Sequence, residues 1–178
     1  MNALELELPG VKVFTPRVFD DPRGYLFESF RASWLPGHDF VQDNHSRSAR
    51  GTLRGLHYQL KNPQGKLVRV IRGEVFDVAV DIRRSSPHFG KWIARVLSEQ
   101  NKEIFWVPPG FAHGFLVLSE EAEFVYKCTD YYAPGDEYAI RWDDPDLGID
   151  WPADALPPLL SDKDAAAPLL RDARVYED

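Results

Sequence analysis

Short runs in which apolar and polar residues alternate dominate the middle of the chain. Residues 67–73, 74–83, 92–98, 103–109, 115–119 and 122–132 are rich in Val, Ile, Phe and Tyr, types that fit a pleated, half-buried surface. Over 74–81 a period of two puts Val75, Asp77, Ala79 and Asp81 on one face and Glu74, Phe76, Val78 and Val80 on the other. The two carboxylates predict that the first face is solvated or polar-lined rather than a dry core. Turn chemistry at Asn62-Pro63, Gly73, Ser86-Pro87, Pro108-Pro109-Gly110 and Pro134-Gly135 separates the runs. Short strands punctuated in this way predict an antiparallel sandwich or barrel rather than a βαβ fold. Helical signals are thin, confined to a turn at 31–34 and short pieces within 151–178. With no repeat, low-complexity block or linker, residues 1–178 read as one all-β domain with a modest helical tail.

Composition narrows the function classes. At 44% hydrophobic and 13% aromatic, the chain can build a substantial core, which argues against disorder. Its formal net charge of -7 and lack of a Lys/Arg run disfavour a nucleic-acid or anionic-membrane partner, while a few local cations could still hold an anionic small molecule. The single cysteine, Cys128, excludes an intramolecular disulfide framework and fits a reducing compartment. The N-terminal residues show no signal-peptide pattern, and no apolar run approaches the length of a membrane span. A soluble cytoplasmic protein is the expectation.

Two histidine segments carry candidate chemistry. In Leu53-Arg54-Gly55-Leu56-His57-Tyr58 a regular strand would put Arg54, Leu56 and Tyr58 on one face and Gly55, His57 and Gln59 on the other. Alternatively, Gly55 marks a bulge that re-aims these side chains. Histidine is a natural proton carrier near neutral pH, although a lone strand histidine has a ready structural explanation. In Pro108-Pro109-Gly110-Phe111-Ala112-His113-Gly114-Phe115, prolines and glycines could hold His113 in a turn where backbone approaches a ligand; a tight hairpin with a satisfied histidine explains the same residues.

His57, His113 and one carboxylate could form a metal triad, but position 59 is Gln and no His-X-His occurs. No Gly-X-Ser-X-Gly, Walker loop or dinucleotide fingerprint is present, and Cys128 reads as a buried thiol in an aromatic strand. Arg23, Arg54 and Lys66 could converge on a diphosphate. A regular strand would put Tyr126, Cys128, Asp130 and Tyr132 on one face, offering phenols for proton donation or base stacking.

Together these segments resemble the dTDP-4-dehydrorhamnose 3,5-epimerase family. The resemblance rests on Arg54-Gly55-Leu56-His57-Tyr58-Gln59, Gln64-Gly65-Lys66-Leu67-Val68-Arg69, the 107–115 segment and Tyr126-Lys127-Cys128-Thr129-Asp130-Tyr131-Tyr132. Asp21-Pro22-Arg23-Gly24-Tyr25-Leu26-Phe27-Glu28, Gln42-Asp43-Asn44-His45-Ser46, Ile140-Arg141-Trp142-Asp143-Asp144-Pro145 and Leu160-Ser161-Asp162-Lys163-Asp164 extend it over nearly the whole chain. It implies a cupin-like antiparallel β jelly roll with a few short peripheral helices, working as a homodimer without metal or organic cofactor. The implied substrate is dTDP-4-dehydro-6-deoxy-α-D-glucose, in dTDP-L-rhamnose synthesis. By motif position His57 would be the base, Asp164 its partner carboxylate, Tyr126 the proton donor on the opposite face and Lys66 the cation at the C4 oxygen. Arg54 and His113 would line the sugar-phosphate region; Arg23, Phe27 and Glu28 would meet the nucleotide, across a dimer interface. Gln42, Asp43 and Asn44 would line the pocket and Tyr132 would stack on thymine, with Glu137 and Lys163 as further contacts. A single-site epimerase, a ketoisomerase and a non-catalytic sugar-binding module remain alternatives at this stage.

Overall fold

The computed structural model describes residues 1–177, and strands account for most of its regular structure. The N-terminal part carries β1 (Asn2–Glu5), β2 (Lys12–Thr15) and a hairpin of β3 (Phe19–Asp21) and β4 (Gly24–Leu26). The body follows with β5 (Gln42–Ala49), β6 (Leu53–Gln59), β7 (Lys66–Arg72), β8 (Glu74–Asp81) and β9 (Trp92–Ser98). It is completed by β10 (Ile104–Val107), β11 (Phe111–Val117), β12 (Glu121–Cys128) and β13 (Glu137–Ala139). Helical structure is limited to α1 (Asp162–Ala165) and 3-10 turns at Ala32–Trp34, Pro134–Asp136, Ala153–Ala155 and Leu170–Asp172. The run expected at 115–119 begins earlier, at Phe111, because the turn at Gly110 (φ +93°) completes the reversal there. The run expected to reach residue 132 ends at Cys128.

Two antiparallel sheets, ordered β1-β2-β10-β7-β12-β5 and β13-β6-β11-β8-β9, pack face to face as a cupin-like jelly roll. Between them lie Val68, Val70, Phe105, Val107 and Phe124 from one sheet and Val75, Ala79, Leu97, Phe111, Phe115 and Val117 from the other. Burying such side chains contributes roughly 1.5–3 kcal/mol each. Leu53, Leu56, Tyr58, Val78, Val80, Ala112 and Leu116 face outward from the five-stranded sheet, where Leu147, Trp151, Leu170 and Val175 cover them. The C-terminal tail therefore behaves as a third layer, and Leu159 docks it against the start of β6 by accepting from Leu53 N (3.0 Å) and donating to Gly51 O (2.7 Å).

The acidic face of β8 corrects one expectation. It points into the barrel, and Asp77 and Asp81 are fully buried rather than solvated. Asp81 is fully paired, with Arg83 at 2.7 and 2.9 Å and Ser86 Oγ at 2.6 Å, whereas Asp77 pairs through Oδ1 with His113 Nε2 at 2.8 Å, its Oδ2 has no partner among the described residues, and burial pushes its carboxyl up. His113 itself lies within β11, not in a turn. Cys128 is buried, as expected.

Candidate active site

β6 is not regular, and its irregularity builds the site. His113 of β11 is opposite His57, yet Phe115 is opposite Arg54, so three residues of β6 span what two span in β11. Gly55 (φ +135°) absorbs the extra residue as a bulge, and its backbone meets that of Gly114 so closely that a Cβ there would lie 2.5 Å from Gly114 Cα. The bulge brings Arg54 onto the inward face with His57 and Gln59, while Leu56 and Tyr58 join the outer hydrophobic layer. The bulged alternative is therefore the one adopted.

The docked tail then brings Asp164 behind His57. Ser161 caps α1, its Oγ accepting from Asp164 N at 3.1 Å. The buried Asp164 places Oδ1 2.5 Å from His57 Nε2. Burial pushes the Asp164 carboxyl up, but the His57 hydrogen bond and charge, Ser161 and the Gly55 backbone N–H together hold it below the usual carboxylate range. A cavity of about 310 Å³ opens beside this pair, lined by Arg54, His57, Leu160, Lys163 and Asp164 among others.

The opposite wall is the inner face of β5, β7 and β12. Tyr126 pairs in register with Asn44 and Val68, and Cys128 with Gln42 and Lys66, so their side chains share one face. Burial, with Cys128 and Glu137 adding to it, raises the Tyr126 phenol above its ordinary value against the pull of Arg54 and Asn44. Burial lowers the Lys66 ammonium, opposed by Cys128, Glu137 and Asp77. Arg54 donates from Nε to Ser48 Oγ at 3.0 Å.

At the rim, Glu137 accepts from Tyr132 Oη at 2.7 Å and is paired with Lys163. These bonds and the nearby His57 hold its carboxyl below the usual range despite burial, the largest single influence. The Tyr132 backbone N–H donates to Gln42 Oε1 at 2.8 Å, and Gln42 Nε2 to Asn44 Oδ1 at 3.2 Å.

The structure thus brings together His57, Asp164, Arg54, Lys66, Tyr126, His113, Gln42, Asn44, Tyr132, Glu137 and Lys163. Asp43 does not join them: strand alternation turns it to the outer face of β5, where it pairs with Lys127 Nζ at 2.9 and 3.0 Å. Nor do Arg23, Phe27 and Glu28 reach this chain's own cleft. Arg23 binds Asp21 on the exposed β3–β4 hairpin, Glu28 binds Arg31, and Phe27 lies 5.9 Å from Arg69 on the outer face. Asp130 and Tyr132 leave the Tyr126–Cys128 face because the strand has ended. Asp77 was missed as a site group, although its place between Val75 and Ala79 on a core face demanded a buried partner. Ser48 behind Arg54 and Gln59 beyond His57 were missed as well. Among the described residues no group of three or more His, Cys, Asp and Glu side chains converges to hold a metal, and His57 and His113 each answer to a separate carboxylate.

A carboxylate-backed imidazole on one wall, facing a phenol and an ammonium on the other, defines a jelly-roll isomerase equipped to move protons at carbon. Residues 5–172 match the family model for dTDP-4-dehydrorhamnose 3,5-epimerase. The dTDP-4-dehydrorhamnose 3,5-epimerase of Pseudomonas aeruginosa is 57% identical over 99% of both chains. The dTDP-6-deoxy-D-glucose-3,5-epimerase of Legionella pneumophila, solved in complex with dTDP-4-keto-L-rhamnose, superposes with a TM-score of 0.93 at 52% identity, covering 96% of this chain and 93% of that one. A 3'-monoepimerase of Streptomyces bikiniensis in complex with dTDP-quinovose gives a TM-score of 0.88 at 38% identity, covering 93% of this chain and 86% of that one. The chain belongs to the dTDP-4-dehydrorhamnose 3,5-epimerase family.

Proposed function

We propose that this protein epimerises C3 and C5 of dTDP-4-dehydro-6-deoxy-α-D-glucose to give dTDP-4-dehydro-β-L-rhamnose, in dTDP-L-rhamnose biosynthesis. The observation that carries the proposal is the opposition of the His57–Asp164 pair on one wall to Tyr126 and Lys66 on the other. The C4 ketone acidifies the protons at C3 and C5, so a neutral imidazole can remove each in turn, leaving an enolate. Asp164 orients the ring and stabilises the imidazolium. Lys66 neutralises the developing oxyanion. Tyr126 returns a proton from the opposite face, and inversion results. A positioned acid or base typically contributes about 10²–10⁴-fold. Arg54 and His113 hold the sugar phosphate, while Gln42, Asn44, Tyr132, Glu137 and Lys163 hold the nucleotide end. The cycle uses these side chains alone.

The nucleotide site is completed by a second copy of the chain. Arg23, Phe27 and Glu28 lie away from their own cleft, on and just beyond a hairpin that exposes Phe19, Tyr25 and Leu26. A homodimer would cover those apolar side chains and deliver the Arg23 cation, the Phe27 ring and the Glu28 carboxylate to the partner's mouth. Light scattering over a concentration series tests the dimer; a monomer with full activity would refute it. We assign the protein to the cytoplasm, a compartment that suits its unpaired buried thiol. Cell fractionation tests that assignment.

Incubation with the 4-keto sugar nucleotide in D₂O tests the reaction. Deuterium at both C3 and C5 of an inverted product is expected. Label at one carbon alone would identify a monoepimerase, and label at neither would refute the enzyme. A parallel GDP-linked substrate tests the nucleotide, with exchange expected only from the dTDP sugar.

A further inference from the structure

Between the end of β12 at Cys128 and the start of β13 at Glu137, the chain carries Tyr132 without strand pairing to hold it. Side-chain hydrogen bonds fix that segment instead: Gln42 Oε1 accepts from the Tyr132 N–H itself, and the buried side chain of Gln59 holds the residues on either side. Its Nε2 donates to Asn62 O at 2.6 Å and to Tyr131 O at 3.2 Å, and its Oε1 accepts from Ala133 N at 2.8 Å. The bonds to Tyr131 and Ala133 bracket Tyr132 on both sides. Gln59 is two residues beyond His57 on the same inward face, and its cross-strand partner is Glu137, which accepts from the Tyr132 hydroxyl.

We infer that Gln59 is a positioning residue that locks the Tyr132 segment to the strand bearing His57, so that docking of the nucleotide base is registered with the proton-transfer site. The inference rests on the proposal above that Tyr132 holds the nucleotide end, where the family resemblance implies that it stacks on the base. The residue type follows from the partners. Two carbonyls and one N–H converge on one side chain, and only a carboxamide supplies two N–H donors and an acceptor in a single plane. An ionised carboxylate accepts but cannot donate, and a neutral imidazole has a single N–H. A side chain that holds this loop without touching the reacting carbons preorganises binding. Its loss should appear as a reduced fraction of binding-competent protein, raising apparent Kd in proportion, while the chemical step in the assembled complex is spared.

The test uses the full-length protein, dTDP and the 4-keto sugar nucleotide. Gln59→Met keeps the length of the side chain and removes all three hydrogen bonds. Calorimetry should show the dTDP Kd raised about 5- to 50-fold and kinetics should show KM raised in parallel, with kcat within about threefold, the pattern expected when a binding-competent state becomes a minority. Gln59→Glu adds a signature that a merely structural defect would not give. Its carboxylate can accept from Ala133 N but faces two carbonyls, and only on protonation does it regain a donor. The ratio of variant to wild-type KM should therefore fall as pH is lowered from about 8 toward 5, as a buried carboxyl gains its proton. Should Gln59→Met not fold, this ratio decides alone. Unchanged KM and Kd, a loss confined to kcat, or a KM ratio flat with pH would overturn the inference. Wild-type protein that exchanges label but does not bind dTDP would overturn the nucleotide reading and the inference with it, whereas an active, dTDP-binding wild type with unaltered variants overturns the inference alone.

Discussion

Replacing Asp164 by Asn tests the proton-transfer site most directly. The carboxylate is 3% exposed and sits 2.5 Å from His57 Nε2, so it accepts a charge-assisted hydrogen bond out of water's reach. Such bonds contribute about 1.5–3 kcal/mol net. Each 1.36 kcal/mol in a barrier is a factor of ten in rate. If the whole contribution is felt when His57 becomes an imidazolium, kcat falls about 10- to 150-fold. An amide can also turn its NH₂ toward the ring and hold the other tautomer; the equivalent Asp→Asn change in Ser-His-Asp hydrolases costs about 10⁴. The expected loss therefore lies between about 10-fold and 10⁴-fold in kcat, with KM little changed. Deuterium uptake at C3 and C5, followed by NMR at saturating substrate, reads it. A folded variant with kcat within about threefold of wild type would refute the assignment of His57 as an Asp164-oriented base.

The same variant carries a pH signature. The Asp164 value is lowered in the folded protein, with burial opposing and the His57 bond prevailing. A depressed carboxyl stabilises the fold above its unfolded value of about 3.9, and that contribution is lost as pH falls through the folded value. The stability gap between wild type and variant should be full at neutral pH and narrow progressively as pH falls below about 3.9, which denaturant melts at pH 7 and at a series of pH values below about 4 would show.

Three further outcomes follow from the packing. Lys66→Met removes the cation proposed to meet the developing oxyanion and should cost about 10²–10³ in kcat, while thermal stability holds, since a partly buried ammonium gives way to an apolar chain of similar length. Gly55→Ala places a Cβ 2.5 Å from Gly114 Cα at a φ of +135°; the backbone conformation alone costs about 1–3 kcal/mol, so calorimetry should show a melting temperature lower by at least several degrees and NMR a matching loss of exchange. Asp77→Ala leaves the buried His113 Nε2 without its partner, a type of loss worth about 1–3 kcal/mol, or about 2–12 °C in melting temperature for a chain of this size.

The strands and the all-β class were legible because apolar alternation and turn residues are local signals, each decided within a few positions. The site was legible unevenly, for a physical reason. Motif matching picked out His57, Asp164, Tyr126 and Lys66, but no periodicity could bring a helix residue 107 positions away behind His57; the docking of the tail on β6 does that. Alternation read alone makes errors of face. It gave Asp77 and Asp81 a solvated or polar-lined face because carboxylates are costly to bury, while the partners that accompany their burial, His113 and Arg83, lie on β11 and just beyond the strand end. Asp43 between Gln42 and Asn44 is the reverse case: its neighbours in sequence serve the cleft, and the period of two sends it to the other side.

Gly55 shows how much a single residue can decide. A regular β6 would give His57 and Gln59 to the cleft and send Arg54 out with Leu56 and Tyr58. By consuming one position, the bulge adds Arg54 to the inward set without removing His57 or Gln59, so the proposed phosphate ligand, the proposed base and the proposed anchor of the nucleotide segment come to share one wall. That geometry depends on two strands approaching where neither has a Cβ, since Gly114 also has its would-be Cβ 2.7 Å from Arg54 O. The glycine in each histidine motif is thus half of one contact. Replacing either alone should displace His57 and Arg54 together, so activity and diphosphate affinity should fall in the same variant; a Gly114→Ala protein that loses one and keeps the other would show that the bulge does not set both.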